Sequence, residues 1–269
     1  MPDVSYDFSD TSVVVTGASS GIGKRTAEQF AAEGADVAIC SRTQENVDPV
    51  AEAINGSDRP GEALAVECDI TDRDAVDAFV EATVEAFGGI DVLVNNAGAG
   101  FVAEFDDISP NGWRTITDIN LTGTYNVTQS AGETLKRRGG CVINVASITG
   151  IRSAVKEVHY GAAKAGMINL TRGLAFEWAR DGVRVNCVSP GLVATEILKE
   201  HWGIADEGID RTETRRRVGL PEEISDVVRF LATPAASYVN GENIVVQGVP
   251  RVEENHEVPA IEDAGIGPG

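Results

Sequence analysis

The chain has 269 residues, 42% of them hydrophobic and 24% charged, with 42 acidic against 22 basic side chains and a formal net charge of -20. That length is enough to bury one large core, and no uninterrupted apolar run approaches the roughly 20 residues that a membrane-spanning helix needs. The charge argues against nucleic acid and anionic membranes as partners, since both would be repelled over most of the surface.

The start, Met1-Pro2-Asp3-Val4-Ser5, has neither a basic nor an apolar leader region, so a cytoplasmic location is expected. Only Lys24, Lys136, Lys156, Lys164 and Lys199 are lysines. A carboxylate-rich, lysine-poor surface suits concentrated salt, which screens its self-repulsion, so the reading is a halophilic protein, with an ordinary acidic protein as the plainer alternative. Cys40, Cys68, Cys141 and Cys187 are far apart, each in or beside an apolar run, without a Cys-x-x-Cys pair or a nearby His. They read as small core residues, and no metal site is expected.

In chain order, short β-branched runs alternate with longer stretches of helical period. Strands are expected at Val13–Val15, Val37–Ile39, Leu64–Val66, Val92–Val94, Val142–Val145, Val183–Val185 and Ile244–Val246, and helices near 22–33, 44–54, 72–87, 110–137, 159–180 and 221–232. Asp72 and Pro221-Glu222-Glu223 are suitable first-turn signals. Seven apolar strands separated by helices predict an α/β fold, a doubly wound parallel sheet covered on both faces, in a single domain over 1–250. The stretch from Leu192 to Arg217 breaks the alternation and reads as a substrate lid. Residues 251–269 read as an acidic tail, poorly ordered or strapped against a neighbouring subunit.

Directly after the first strand comes Thr16-Gly17-Ala18-Ser19-Ser20-Gly21-Ile22-Gly23, with a helix beginning inside it. Glycines there permit a tight turn and a close approach of backbone N–H groups to a pyrophosphate, and the helix N-terminus attracts negative charge. After the second strand, where an acidic residue usually meets the adenosine ribose, stand Ser41 and Arg42. A guanidinium there suits a 2′-phosphate, with Ser41 and Ser20 as hydroxyl donors, which favours NADP(H) over NAD(H); a solvated surface arginine is the alternative. Asp69 ends the third strand in reach of an adenine amino group, and Asn95-Asn96-Ala97-Gly98 follows the fourth.

Tyr160-Gly161-Ala162-Ala163-Lys164 puts a phenol and an ammonium on one helical face, where the ammonium is expected to lower the tyrosine pKa from about 10. Alone, such a pair is usually a solvated surface pair. Ser147 follows the fifth strand and suits holding a carbonyl or alkoxide oxygen. Asn120 lies inside a long helix, where its mediocre propensity suggests a kink or a bound water.

Taken together, the glycine turn at 16–23, Asp69, Asn95–Gly98, Asn120, Ser147, Tyr160-x-x-x-Lys164 and Pro190-Gly191 resemble the classical short-chain dehydrogenases/reductases over roughly residues 8–249. The resemblance implies a Rossmann-type fold with Tyr160 as the acid/base. Lys164 would tune that tyrosine and bind the nicotinamide ribose. Ser147 would position the reacting oxygen, and Asn120 would support a water in a proton relay. The implied cofactor set is Gly17, Ser19, Ser20, Gly21, Ile22, Gly23, Ser41, Arg42, Asp69, Ile70, Asn96, Ala97, Gly98, Tyr160, Lys164, Pro190, Gly191, Val193 and Thr195, with Thr195 on the carboxamide. A homotetramer or homodimer is also implied. Gln247 stands where the family commonly has Asp, and Val249 where it has a further Gly, which touches subunit contacts rather than chemistry.

The reading that follows is an oxidoreductase moving hydride between NADP(H) and a small-molecule carbonyl or secondary alcohol, foremost a 3-oxoacyl thioester or similar ketone. A sugar or polyol dehydrogenase is the nearest alternative. A redox-inactive cofactor sensor should have lost Tyr160 or Lys164, and a lyase or dehalogenase on this scaffold should have a damaged glycine turn. The substrate pocket is expected from Gly98–Val102, Ile148–Val158 and the 192–202 stretch with Leu192, Ile197, His201 and Trp202, an apolar set that favours an acyl or apolar substrate. Arg152 and Lys156 are candidates to meet thioester phosphates, or are solvated.

Overall fold

The apolar runs pair side by side, all parallel, in the order β3-β2-β1-β4-β5-β6-β7 in the computed structural model, which describes residues 5–196, 209–213 and 217–249. The strands are β1 Ser12–Thr16, β2 Asp36–Ser41, β3 Ala63–Glu67, β4 Val92–Asn95, β5 Cys141–Val145, β6 Arg184–Pro190 and β7 Asn243–Val246. The helices are α1 Gly21–Ala32, α2 Gln44–Asn55, α3 Arg73–Phe87, α4 Pro110–Thr117, α5 Gly123–Arg138, the short α6 Thr149–Arg152, α7 Val158–Trp178 and α8 Pro221–Ala232.

β1, β4 and β5 are buried along their whole length because successive side chains enter two different cores. Val13, Val15, Val37, Val92 and Ile143 face α1, α2 and α8 through Phe30, Val47, Ile54 and Val228. Val14, Ala38, Leu93, Val142 and Val185 face α3, α5 and α7 through Phe79, Leu135 and Trp178. The expected doubly wound α/β architecture is therefore present, a single Rossmann-like layer of seven parallel strands between helices. Phe30 and Phe79 are fully buried on opposite faces, so truncating either to Ala would cost about 3–5 kcal/mol. The four cysteines are free and buried, as their apolar surroundings imply.

Helix boundaries follow local capping chemistry. Asp72 accepts hydrogen bonds from Asp74 N and Ala75 N at 2.9 and 3.3 Å, Ser109 accepts from Gly112 N at 3.0 Å, and Glu223 Oε2 accepts from Leu220 N at 2.9 Å beside Pro221. Buried Arg229 of α8 is held between Glu33 at the end of α1 and Asp226, with its guanidinium 5.7 Å from the Tyr6 ring, so α1 and α8 are fixed to each other by charge as well as packing.

The expected single helix over 110–137 is interrupted. Asp118–Thr122 forms a π turn between α4 and α5, because Asn120 Nδ2 donates to Ile116 O at 2.9 Å, one turn back, and to Ala99 O at 2.7 Å across the cleft. Taking the Ile116 carbonyl with a side chain widens the backbone ladder at that point. The sixth strand begins at Arg184 and runs on to Pro190, further than its apolar start at Val183 suggests. Among the described residues no helix is long and apolar enough to cross a membrane, and no cluster of three metal-ligating side chains occurs.

Candidate active site

In this strand order the chain leaves β1 toward β2 and β3 on one side, and β4 lies on the other. The carboxyl ends of the strands therefore diverge around β1 and β4 and leave a crevice. The candidates in loops sit on this edge: the 17–23 turn after β1, Ser41 and Arg42 at and after the end of β2, Asp69 and Ile70 after β3, Asn96–Gly98 after β4, Ser147 after β5, and Gly191, Val193 and Thr195 after β6, whose last residue is Pro190; Asn120 lies in the π turn and Tyr160 and Lys164 in α7.

The glycine turn is shaped by contacts that only glycine allows. Gly17 has φ 64°, and a Cβ there would lie 2.7 Å from Ala97 Cα. A Cβ on Gly23 would lie 2.3 Å from Asn96 Nδ2 and 2.5 Å from Gly17 O. Asn96 Nδ2 closes the turn by donating to Thr16 O and Gly17 O, each at 3.0 Å, while Thr16 Oγ1 accepts from Asn96 N and Ala97 N at 3.1 and 3.0 Å. Ser19 and Ser20 are half-exposed, and Ser20, at the N-cap of α1, makes no side-chain cap. The amide of Gly21 instead donates to a carboxylate, Glu196 Oε2, at 2.9 Å. An anionic oxygen thus already sits on this helix start, and the cradle fits a cofactor phosphate on the same ground.

After β2, Arg42 is exposed and makes no ion pair among the described residues. The Ser41 hydroxyl is engaged with the backbone of Thr43 at 3.3 Å. Thr71 N and Oγ1 both donate to Asp69 Oδ1, at 2.9 and 2.7 Å. Ile70 packs against Gly123, where a Cβ would lie 2.5 Å from its Cδ1, and its carbonyl accepts from Asn126 Nδ2 at 3.0 Å.

The other half of the site gathers around the Gly98–Gly100 loop. Asn120 and Lys164 are both buried. Lys164 Nζ donates to Val145 O at 2.8 Å and lies 5.6 Å from the centroid of the Tyr160 ring. The ring of Tyr160, partly exposed at the start of α7, comes within 3.4 Å of where a Cβ on Gly100 would be. Ser147 hydrogen-bonds the Tyr160 phenol and accepts from Thr149 N at 3.1 Å. Asn120, Ser147, Tyr160 and Lys164, spread over 45 positions of sequence, are therefore brought into one cluster.

The electrostatics correct one expectation. Burial pushes Tyr160 up to about 12, opposed by the Ser147 hydrogen bond and reinforced by Glu157. Lys164 is not among the groups that shift it: its Nζ, lowered by burial to about 8, donates to the Val145 carbonyl at 2.8 Å.

The cleft mouth is apolar. Phe101, Val102, Ile151 and Val155 are exposed on the segments next to Tyr160, and Leu192 is exposed after β6. Its walls are joined by Ala103 N donating to Lys156 O at 3.0 Å and by a Lys156–Glu104 ion pair at 2.9 Å. Lys156 is thus engaged with Glu104, and Arg152 donates to Gln247, so both basic candidates for thioester phosphates have protein partners. Gln247 also backs Gly191, where a Cβ would lie 2.9 Å from its own Cβ. Thr195 touches the phosphate turn: its Cγ2 is 3.0 Å from where a Cβ on Gly21 would be. Ile197, His201, Trp202, most of the 192–217 stretch and the 251–269 tail lie outside the described residues.

Sequence reasoning passed over Thr16 and Glu196, each standing at the edge of a quoted motif. It also passed over a buried polar chain in which Asn95 Nδ2 donates to Thr128 Oγ1 and Asn144 Oδ1, and Asn144 Nδ2 to Thr171 Oγ1, all at 2.8–2.9 Å. These side chains tie β4 and β5 to α5 and α7 beneath the site.

A family profile described as Enoyl-(Acyl carrier protein) reductase matches residues 17–248. The chain is 37% identical to meso-2,3-butanediol dehydrogenase of Serratia marcescens over 244 residues, covering 90% of this chain and 94% of the relative. It is 38% identical to the 3-oxoacyl-[acyl-carrier-protein] reductase of Thermotoga maritima over 236 residues, covering 87% and 95%. A short-chain type dehydrogenase/reductase from Mycobacterium marinum superposes with a TM-score of 0.81 at 33% identity, covering 94% of this chain and 98% of that one. On sequence and structure alike, the chain belongs to the short-chain dehydrogenase/reductase family of nicotinamide-dependent oxidoreductases acting on alcohol and carbonyl groups.

Proposed function

We propose that this enzyme is an NADP(H)-preferring reductase of a 3-oxoacyl thioester or similar apolar ketone, with Tyr160 as the acid/base. The observation that carries the reading is the convergence of Tyr160, Lys164 and Asn120 on the Gly98–Gly100 loop beneath an apolar mouth. Gly17–Gly23 hold the pyrophosphate, Asp69 and Ile70 the adenine, Asn96–Gly98 and Lys164 the nicotinamide ribose, and Pro190, Gly191, Val193 and Thr195 the carboxamide side. The bound nicotinamide supplies or accepts the hydride. Ser147 holds the substrate oxygen beside the Tyr160 hydroxyl, and the phenol, its pKa raised, donates its proton to the developing alkoxide. Lys164 and Asn120 keep a polar path behind that phenol through which the proton is replaced.

Arg42, exposed and free of ion pairs among the described residues, supports the preference for a 2′-phosphate. Similarity to a butanediol dehydrogenase supports a second reading, oxidation of a small diol or polyol at the same groups. The protein acts in the cytoplasm of a halophile as a homotetramer or homodimer; exposed Tyr125, Phe176 and Tyr238 support subunit contacts, and the net charge supports the absence of nucleic-acid or membrane partners.

The test is a panel of 3-oxoacyl thioesters, simple ketones, diols and sugars with NADPH and NADH in parallel at molar KCl. Thioester or apolar ketone turnover with NADPH is expected, and faster turnover of diols or better use of NADH would overturn the corresponding part. Tyr160→Phe should lower kcat at least about 10²-fold and leave cofactor affinity unchanged. Arg42→Ala should weaken NADPH binding and spare NADH.

A further inference from the structure

The helix start that the cofactor reading assigns to a pyrophosphate is occupied from within the chain. Glu196 Oε2 accepts the Gly21 amide at 2.9 Å from a position 175 residues away in sequence. The neighbouring backbone fixes this approach. Ala194 N donates to Gly219 O at 2.8 Å and Gly219 N to Leu192 O at 2.9 Å, forming a short parallel bridge between Val193 and Gly219. The Thr195 methyl packs directly on Gly21. No acidic residue lies in the first turn of α1, and Ser20 does not cap it, so Glu196 is the sole anion on this helix start among the described residues. A carboxylate and a pyrophosphate oxygen carry the same charge and seek the same N–H groups, so they exclude each other.

We propose that Glu196 is an intramolecular competitor for the cofactor's pyrophosphate, occupying the α1 N-terminus in the free enzyme and leaving it when the dinucleotide binds. Glu196 shares its cleft with Lys24 and Arg25. Arg25 is already paired with Glu28 at 3.3 Å and Glu222 at 3.1 Å, whereas Lys24 has no ion pair among the described residues. Lys24 is the place to which the displaced carboxylate moves. The exchange sets cofactor affinity without touching the proton-transfer groups, and it makes the enzyme release spent cofactor more readily than an unopposed phosphate cradle would. Nothing in it depends on which carbonyl is reduced, but it rests on the nicotinamide-cofactor reading.

The experiment is a fluorescence titration of NADPH, and a calorimetric titration of 2′-AMP, which lacks a pyrophosphate, against wild type, Glu196→Ala and Glu196→Gln. Both variants should bind NADPH about fivefold more tightly than wild type, the size of a charge interaction at a helix terminus, with 2′-AMP affinity unchanged. Glu196 is exposed, and thermal melts establish that the variants are folded. Unchanged or weaker NADPH binding in the variants, or equal tightening of 2′-AMP, overturns the competitor. A wild-type protein that binds neither NADPH nor NADH overturns the cofactor reading itself, which separates the two failures.

Discussion

Asn120 and Lys164 approach the same face of Gly98: a methyl group on that Cα would lie 2.8 Å from Asn120 Oδ1 and 3.3 Å from Lys164 Nζ. Asn120 Oδ1 is buried and has no hydrogen-bond partner among the described residues, so its lone pairs and the ammonium converge on a space that only a side chain of hydrogen leaves open. Gly98→Ala should therefore push both groups off their positions and lower kcat by about 10²-fold, while cofactor affinity falls less. Steady-state kinetics beside a cofactor titration checks this, and equal losses in both would mean that the methyl group damages the fold rather than the site.

Lys164 and Tyr160 give stability opposite responses to pH. Native Lys164 is lowered from 10.5 to about 8, so between those values the unfolded chain binds more protons and stability rises with pH. Native Tyr160 is raised from 10.0 to about 12, so its contribution is complete below 10 and is lost as pH climbs toward 12. The advantage of Lys164→Met over wild type in urea midpoint should be largest near pH 7 and shrink toward pH 10 as the wild-type ammonium deprotonates. A pH-independent difference would show that the buried amine does not titrate in this window.

Two glycines separate steric need from helix propensity. Gly23→Ala places its methyl 2.3 Å from Asn96 Nδ2 and 2.5 Å from Gly17 O, and should destabilise by about 1–3 kcal/mol, weakening the phosphate turn with it. Gly173, exposed in the interior of α7, has nothing within 4 Å of its would-be Cβ, and Gly173→Ala should stabilise by about 0.5–1 kcal/mol. Urea unfolding of the pair, read against wild type, gives opposite signs if this account holds.

The acidic surface predicts a salt response. Asp77, Glu81, Glu85 and Glu133 line one groove between α3 and α5; Asp77 pairs with Arg73 and Glu133 with Arg137, so the groove carries four carboxylates against two cations. Screening by molar KCl should raise stability by at least about 1 kcal/mol, or roughly 2–4 °C in Tm for a chain of this size. Calorimetry across a KCl series checks it, and a flat series would mean an ordinary acidic protein.

Most of the sheet was legible because its strands are buried on both faces and appear in the chain as unbroken β-branched runs such as Val13-Val14-Val15. The glycine turn after β1 was legible for a related reason: its glycines answer to backbone contacts, and those contacts leave a fixed spacing. The π turn at Asp118–Thr122 was not, because it depends on Asn120 reaching Ala99 O, a partner 21 positions away. Asn120 could be suspected from its poor helix propensity, but the widened turn could not. The Tyr160 electrostatics escaped as well. Spacing places Lys164 one turn away, yet the balance between charge and desolvation is decided by burial, which belongs to the tertiary structure. Glu196 was hidden for the same reason, since nothing near position 196 announces a partner at position 21.

The π turn has one more consequence, for the permissible length of the chain. Its extra residue per turn advances α5 by about 100° relative to an uninterrupted helix, and in that rotational phase Val127, Ala131 and Leu135 face the sheet while Asn126 reaches Ile70. Deleting one residue within Asp118–Thr122 would remove the widened turn and swing that apolar stripe by about 100° toward the neighbouring groove. Insertions and deletions in this stretch are therefore governed by angle rather than by space.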